Sequence, residues 1–289
     1  MAGRIGIIGG SGLYDLEGLE SGEQLHLHTP FGPPSDLFQT GILSGQEIVF
    51  LPRHGKGHVV SPSNINYRAN IWGMKKLGVD KLISVSAVGS LREEIKPLDI
   101  VLVDQFVNRT YKRKDTFFHK GMVSHIMFDH PVCLQLQQML RKAAAETSLK
   151  TRVHMGGTYV NIEGPAFSTR AESNLYRNWG MDVVGMTNMT EARLAREAEL
   201  CYATLALVTD YDCWKDDDQV NVEMVIKNLC KCVSNAKDII VKCIGMIDET
   251  VTCECNSALE NPSMTDPELV PETMKKKISL LIEKYIEQE

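Results

Sequence analysis

The run Leu200-Cys-Tyr-Ala-Thr-Leu-Ala-Leu-Val208 passes directly into Thr209-Asp210-Tyr211-Asp212-Cys213-Trp214. The first part is short, apolar and rich in strand formers, which predicts a core strand of an α/β sheet covered on both faces. Ligands of open α/β sheets gather beyond the carboxyl ends of strands. Asp210 and Asp212 stand at such an end, one residue apart, so both can face one ligand. That pair suits a ring with an exocyclic amine beside a ring nitrogen. An ionised carboxylate accepts from the amine, and a protonated one donates to the nitrogen. A 6-aminopurine presents that edge. Taken alone, the pair also fits two solvated loop acids capping the next helix.

Working outward, the same strand-then-turn pattern recurs. Ile5-Gly-Ile-Ile-Gly9-Gly10-Ser11-Gly12-Leu13 is a strand entering a glycine-rich turn. Glycines let backbone N–H groups approach an anion, and Ser11 adds a hydroxyl. The third glycine of a dinucleotide fingerprint is missing, as is the Walker pattern, so the choice lies between a phosphate cradle and a plain tight turn. A second strand, 45–52, ends in Arg53-His54-Gly55-Lys56-Gly57-His58. Arg53 can fork onto a phosphate. A third, 81–90, carries Ser86 and Ala87 near its end, and further strands are expected at 98–104, 158–163 and 181–186. Helices are expected at 64–77, 131–147, 191–200, 220–247 and 275–288. The stretch 112–119 reads as an exposed loop, and the segment 256–272 is proline-rich and polar. Strands alternate with helices from Ile5 to Trp214 with no linker, which predicts one mixed α/β domain over residues 1–289, with a divergent tail from about 248.

The chain has 289 residues, 43% of them hydrophobic and 24% charged, with a net charge of −6. Without a basic face, nucleic acid is excluded as the main partner. No apolar stretch approaches the ~20 residues that span a bilayer, and none resembles a signal peptide, so a cytoplasmic protein is expected. Among eight cysteines there is no C-x-x-C pair. Cys201 reads as a small core residue. Cys230/Cys232 and Cys253/Cys255 are C-x-C pairs, too tight for the usual zinc spacing, so reduced thiols and no metal are expected, a Cys253–Cys255 disulfide remaining open.

Taken together, Gly9-Gly-Ser-Gly-Leu13, Pro52-Arg-His-Gly55, Asn66-Tyr-Arg-Ala-Asn-Ile-Trp72, Ser86-Ala-Val-Gly-Ser-Leu-Arg92, Ile162-Glu-Gly-Pro165, Phe167-Ser-Thr-Arg-Ala-Glu-Ser173, Gly185-Met-Thr187 and the Asp pair resemble the 5′-methylthioadenosine phosphorylases of the trimeric purine nucleoside phosphorylase superfamily. The resemblance runs from about Ile5 to about Ile247. It implies a central mixed β-sheet, partly barrel-like and flanked by helices, in a homotrimer. It implies phosphorolysis of methylthioadenosine with inorganic phosphate as co-substrate and no cofactor.

Residue by residue, the resemblance places Ser11, Arg53, His54, Ser86, the Ala87 backbone and Thr187 at the phosphate. Met186 would lie under the sugar. Asp210 would act as acid at N7, with Asp212, Phe167 and Ser168 around the base. His58 would line the pocket, as would His125 from the neighbouring subunit. Val222, Val225 and Ile226 would wall the methylthio group. Ala166 stands where the family commonly has arginine, and Thr190 where it has proline. The nearest rival is a phosphorylase of 6-oxopurine nucleosides or methylthioinosine, whose members typically carry Asn at the place of Asp210. A dinucleotide-sensing module without catalysis leaves the Arg-His and Asp pairs unexplained together.

Overall fold

The computed structural model describes residues 3–10, 13, 19–149, 151–215, 222–247, 253–260 and 265–286. Its strands are β1 (Arg4–Gly9), β2 (Glu20–Leu25), β3 (Phe38–Leu43), β4 (Gln46–Pro52), β5 (Val79–Ser90), β6 (Ile100–Leu102), β7 (Gln105–Arg109), β8 (Val153–Met155), β9 (Thr158–Ile162), β10 (Val183–Gly185) and β11 (Cys201–Asp210). The helices are α1 (Tyr67–Lys76), α2 (Leu134–Glu146), α3 (Arg170–Asn178), α4 (Asn188–Glu197), α5 (Val222–Ile244) and α6 (Glu272–Ile286).

All the described strands belong to one mixed sheet, in the order β2-β3-β4-β1-β5-β10-β9-β7, with β11 pairing both β5 and β6, and β8 pairing β6. The mixed α/β expectation therefore holds. Side chains alternate between two apolar layers, as the two-residue period of strands requires. Ile5, Ile7, Ile48, Phe50, Ile83, Val85, Ala203 and Leu205 face α2 and α5. Ile8, Val49, Leu51, Leu82 and Tyr202 face α1, α4 and α6. Both faces are covered, which is why every residue of β11 is buried and why its sequence reads as one apolar run.

Strand β5 organises the centre. It runs parallel to β1 through residues 79–85, parallel to β11 through 81–89, and antiparallel to β10 at Gly89–Ser90. The register sets Pro52 of β4, Gly9 of β1 and Val85 of β5 side by side. The next residues along these strands, Arg53, Gly10 and Ser86, therefore share one row at the carboxyl edge. The Arg53 N–H donates to the Gly9 carbonyl at 2.8 Å, and the Gly10 N–H to the Val85 carbonyl at 3.2 Å.

Two expectations change. The segment 112–119 is not an exposed loop, because Phe117 and Phe118 are buried. Its backbone is held by two carboxylates: Glu163 accepts from the Tyr111 and Lys112 N–H groups, and Glu197 from that of Phe117. The helix expected from Glu191 begins at Asn188, directly after Thr187. Leu259 and Val270 of the proline-rich segment are buried, and α6 packs Met274, Ile278, Leu281 and Ile282 into the chain's own core. Residues 220 and 221, at the expected start of α5, lie outside the described residues.

Candidate active site

Arg53 is fully buried, and its partners are specific. Its Nε and Nη2 grip the two carboxylate oxygens of Glu191, the Nη2 contact at 3.0 Å. Nη1 donates to the Val85 carbonyl at 2.9 Å and Nη2 to Ser84 Oγ at 2.6 Å. Four of the five guanidinium N–H bonds are thus committed. The fork expected to grip a phosphate grips Glu191 instead, because a guanidinium this deep needs a buried counter-charge. Burial alone would lower the Arg53 pKa; the charge and hydrogen bond of Glu191 reverse this and keep it raised. The remaining Nη1–H lies on the side of the glycine turn, where a Cβ on Gly10 would stand 3.2 Å from Nη1. Ser11 and Gly12 of that turn lie outside the described residues.

His54 stacks on His58 with ring centroids 4.2 Å apart. Burial, and then the Arg53 charge, lower the His54 pKa to about 3, so its ring is neutral at pH 7. Its Nδ1 lies 2.8 Å from the Val60 carbonyl, which can only accept, so Nδ1 carries the proton and Nε2 is an acceptor. His58 is exposed, with φ at 58°.

Ser86 Oγ donates to Asn188 Oδ1 at 2.5 Å. The contact follows from register: β10 runs antiparallel from Val183 opposite Ser90, so the chain after Gly185 returns alongside Ser86. Thr187 is buried at the N-cap of α4, and its hydroxyl makes no cap hydrogen bond to its own helix. The Asn188 amide bonds Ser84, Tyr202 and Thr204, closing a buried network. Met186 is half-buried against Gly164, where a Cβ would fall 2.5 Å from the Met186 sulfur and φ is +68°, so only glycine fits.

At the far end of β5 the acid pair meets Gly89. A bulge after Val208 sets Asp210 opposite Gly89. A Cβ there would stand 2.9 Å from Asp210 Oδ1 and 3.2 Å from the Asp212 Cβ, so both acids face the same point. They do so by a route other than strand alternation. Asp212 lies past the strand end at a φ of 52°, and its N–H donates to Asp210 Oδ1 at 2.8 Å. Thr209 Oγ1 lies 2.7 Å from Asp210 Oδ2. Neither acid is a solvated loop residue: both are buried. Burial pushes the Asp210 pKa up to about 6, with Thr209 and the Asp212 N–H opposing and the Asp212 charge adding. Burial also raises Asp212, while the nearby Ser173 and Ser168 hydroxyls pull it back. Asp212 Oδ2, Ser168 Oγ and Ser173 Oγ are nevertheless buried without a hydrogen-bond partner. Buried polar atoms are seldom left so, and three together mark a place where a polar ligand edge fits.

Thr169, not Ser168, caps α3, forming a capping box with Glu172. Phe167 is 51% exposed and is no core aromatic. Val222 and Ile226, on the first turns of α5, are exposed, and Val225 is half-buried. The Asn228 amide ties this helix to the Thr209 carbonyl at 2.8 Å. His125 is exposed on the loop between β7 and α2. Ser84, Gly89, Ser173, Asn188 and Glu191 were not singled out from the sequence, although Ser84 shares the strand face of Ser86.

The sequence profile of the phosphorylase superfamily matches residues 4–245. The S-methyl-5'-thioadenosine phosphorylase of Geobacter sulfurreducens is 54% identical over 284 residues, covering 98% of this chain and 99% of that protein. The one from Synechocystis is 55% identical over 284 residues, covering 97% of this chain and 87% of that protein. A crystal structure of methylthioadenosine phosphorylase sourced from an antarctic soil metagenomic library superposes with a TM-score of 0.92 at 44% identity, over 97% of this chain and 99% of that one. A mutant adenosine/methylthioadenosine phosphorylase from Schistosoma mansoni, in complex with methylthioadenosine, superposes with a TM-score of 0.82 at 39% identity, over 89% and 96% of the two chains.

Proposed function

The chain belongs to the phosphorylase superfamily, and from that premise we propose that it catalyses phosphorolysis of S-methyl-5'-thioadenosine to adenine and 5-methylthioribose 1-phosphate. One observation carries the reading. A row of anion-binding groups at Arg53, Gly10 and Ser86 and a buried acid pair at Gly89 border one strand, β5, at Ser86 and at Gly89. Ser86 and Gly89 lie three steps apart on β5, about 10 Å at ~3.3 Å per step. That span seats a phosphate, a ribosyl ring and a purine in sequence.

In this reading phosphate lies over the glycine turn. It takes the free Arg53 N–H, the Thr187 hydroxyl, the Ala87 backbone N–H, Ser11, and the Ser86 hydroxyl once its proton turns away from Asn188 Oδ1. The N-terminus of α4 adds its positive dipole end. His54, neutral with a bare Nε2, accepts from a protonated phosphate oxygen. A phosphate oxygen attacks C1′ and the C1′–N9 bond breaks. Its electron pair passes into the purine, and protonated Asp210 gives its proton to N7. The raised Asp210 pKa supports that role. Asp212 and Ser168 take the amine edge, Phe167 covers the base face, and Met186 lies under the sugar. His58, Val222, Val225 and Ile226 surround the 5′ end. The reaction draws on no metal or organic cofactor.

The working assembly in this reading is a cytosolic homotrimer serving methionine and purine salvage, with the exposed His125 completing a neighbour's pocket. Among the described residues no helix is long and apolar enough to cross a membrane.

The test is adenine release from methylthioadenosine with and without phosphate, beside adenosine, inosine and methylthioinosine. Phosphate-dependent release with poor 6-oxopurine turnover is expected. Release without phosphate would make the protein a hydrolase and undo the anion-end assignment. Turnover of oxopurines alone would overturn the reading of Asp210.

A further inference from the structure

At the opposite end of β11 from the acid pair, four cysteines converge: Cys133, Cys201, Cys253 and Cys255, with all four sulfurs within 4.8 Å of one another. They come from three distant parts of the chain. Cys133 is the N-cap of α2, Cys201 opens β11, and Cys253 and Cys255 lie on a short turn of the C-terminal segment. The Cys133 N–H donates to the Tyr202 carbonyl at 2.8 Å, which docks the α2 cap beside the start of β11. Cys133, Cys201 and Cys255 are buried, and Cys253 is half-buried. We propose that these four thiols form a closed tetrahedral site for one Zn²⁺ ion.

Geometry favours a single ion. A tetrahedral thiolate shell with Zn–S of about 2.3 Å sets its sulfurs about 3.8 Å apart, inside the 4.8 Å limit observed here. A cluster of two irons spreads its ligand pairs further. Two disulfides need two contacts of about 2.05 Å and no four-way convergence, whereas all four thiols are free and the Cys133 and Cys253 sulfurs lie 3.5 Å apart. The C-x-C spacing, too tight on a regular helix, works here because Cys253 is extended (φ −130°, ψ 142°) and Cys255 lies in the 3₁₀ turn that follows.

Electrostatics agree. Cys133 Sγ accepts the Leu136 N–H at 3.5 Å at the N-terminus of a 13-residue helix, the kind of N–H···S contact that steadies a metal thiolate. Zn²⁺ replaces the protons of the four sulfurs, so uptake releases protons and is favoured by rising pH.

Four protein ligands leave no open position, so the ion is structural. Its distance agrees: β11 spans 10 residues from Cys201 to Asp210, about 30 Å at ~3.3 Å per step. Its effect is to staple residues 253–260, and Leu259 buried among them, onto the body of the protein.

The test uses the full chain purified under reducing conditions. Zinc is added, excess removed on a desalting column, and metal counted by atomic emission. In parallel, Co²⁺ replaces zinc in the unmutated chain, which needs no variant to fold. About one zinc per chain is expected, with the intense thiolate-to-cobalt absorption of a tetrahedral tetrathiolate. Cys255→Ala should weaken retention at least tenfold, and Cys230→Ala, exposed and outside the cluster, should keep it. Chelation should lower the thermal midpoint while leaving adenine release at 25 °C unchanged. Reduced protein that retains under a tenth of an equivalent and gives no cobalt charge-transfer band overturns the site. So does equal loss of zinc in Cys230→Ala and Cys255→Ala.

Discussion

Around Arg53, Glu191, Ser84, Ser86 and Asn188 hydrogen bonds close within the chain, whereas around Asp212 three buried polar atoms have no partner. The two regions border β5 at Ser86 and at Gly89, three residues apart, and differ in how far the chain satisfies its own polar groups. The Arg53 end is assembled within the chain, with its charge balanced by Glu191 and one guanidinium N–H left uncommitted. The Asp212 end holds buried carboxyl groups and three polar side-chain atoms without a partner. In the proposed reading, phosphate meets the rigid frame and selectivity falls where the purine completes the hydrogen bonding.

The largest effect should come from breaking the closed end. Glu191→Ala leaves Arg53 buried and unpaired, and removing one partner of a buried ion pair costs about 3–5 kcal/mol. Urea unfolding should show a loss of that order together with loss of phosphorolysis. Glu191→Gln, which keeps acceptors for the guanidinium, should lose less. A Glu191→Ala protein within about 1 kcal/mol of the parent would mean that the anion end is not held by this pair.

Next comes the acid at the other end. General acid catalysis contributes about 10²–10⁴-fold, so Asp210→Asn should lower kcat/KM for methylthioadenosine by that order and shift preference towards 6-oxopurines. The pH profile sharpens this. The Asp210 carboxyl, raised to about 6, donates only while protonated, so kcat/KM should fall as pH rises through that region. The falling limb should be absent in Asp210→Asn. Full adenine selectivity in that variant, or an unchanged limb, removes Asp210 from the role of acid.

Asp212→Asn probes the unsatisfied side. Asn tolerates the positive φ at this position, and the buried unpaired oxygen loses its charge. Because burial raises the Asp212 pKa, that group's favourable contribution is present at low pH and lost as pH rises. The variant should therefore gain stability over the parent as pH rises, while its KM for methylthioadenosine increases. Equal stability at all pH values would show that Asp212 is relieved by its surroundings already.

What the sequence discloses follows from which interactions are local. The β11 run and the acids at its end are legible because burial on both faces writes a continuous apolar word and the strand end marks a ligand edge. The glycine turn, the Arg-His turn and Ser86 are each legible, yet that they form one row depends on the register of β4, β1 and β5. Glu191 was out of reach because it meets Arg53 across 138 residues of chain. The burial of Phe117 was hidden for the same reason: its backbone partner is Glu197. The convergence of four cysteines is hidden in the same way, since Cys133 and Cys201 carry no local spacing that ties them to Cys253 and Cys255.

The smallest effect tests whether Phe167 belongs to the ligand or to the fold. Half its surface is exposed, with 51% accessible, so truncation removes little buried area. Phe167→Ala should change unfolding free energy by no more than about 0.5 kcal/mol. An aromatic face against a purine contributes about 0.5–1.5 kcal/mol beyond buried area, and every 1.4 kcal/mol is tenfold in affinity. KM for methylthioadenosine should thus rise by about 2- to 10-fold with kcat nearly constant, since the ring covers the base in ground and transition states alike. A stability loss above about 2 kcal/mol would instead place Phe167 in the packing of the chain. An unchanged KM would leave the base face uncovered by this residue and confine the ligand-completed end to Asp210, Asp212, Ser168 and Ser173.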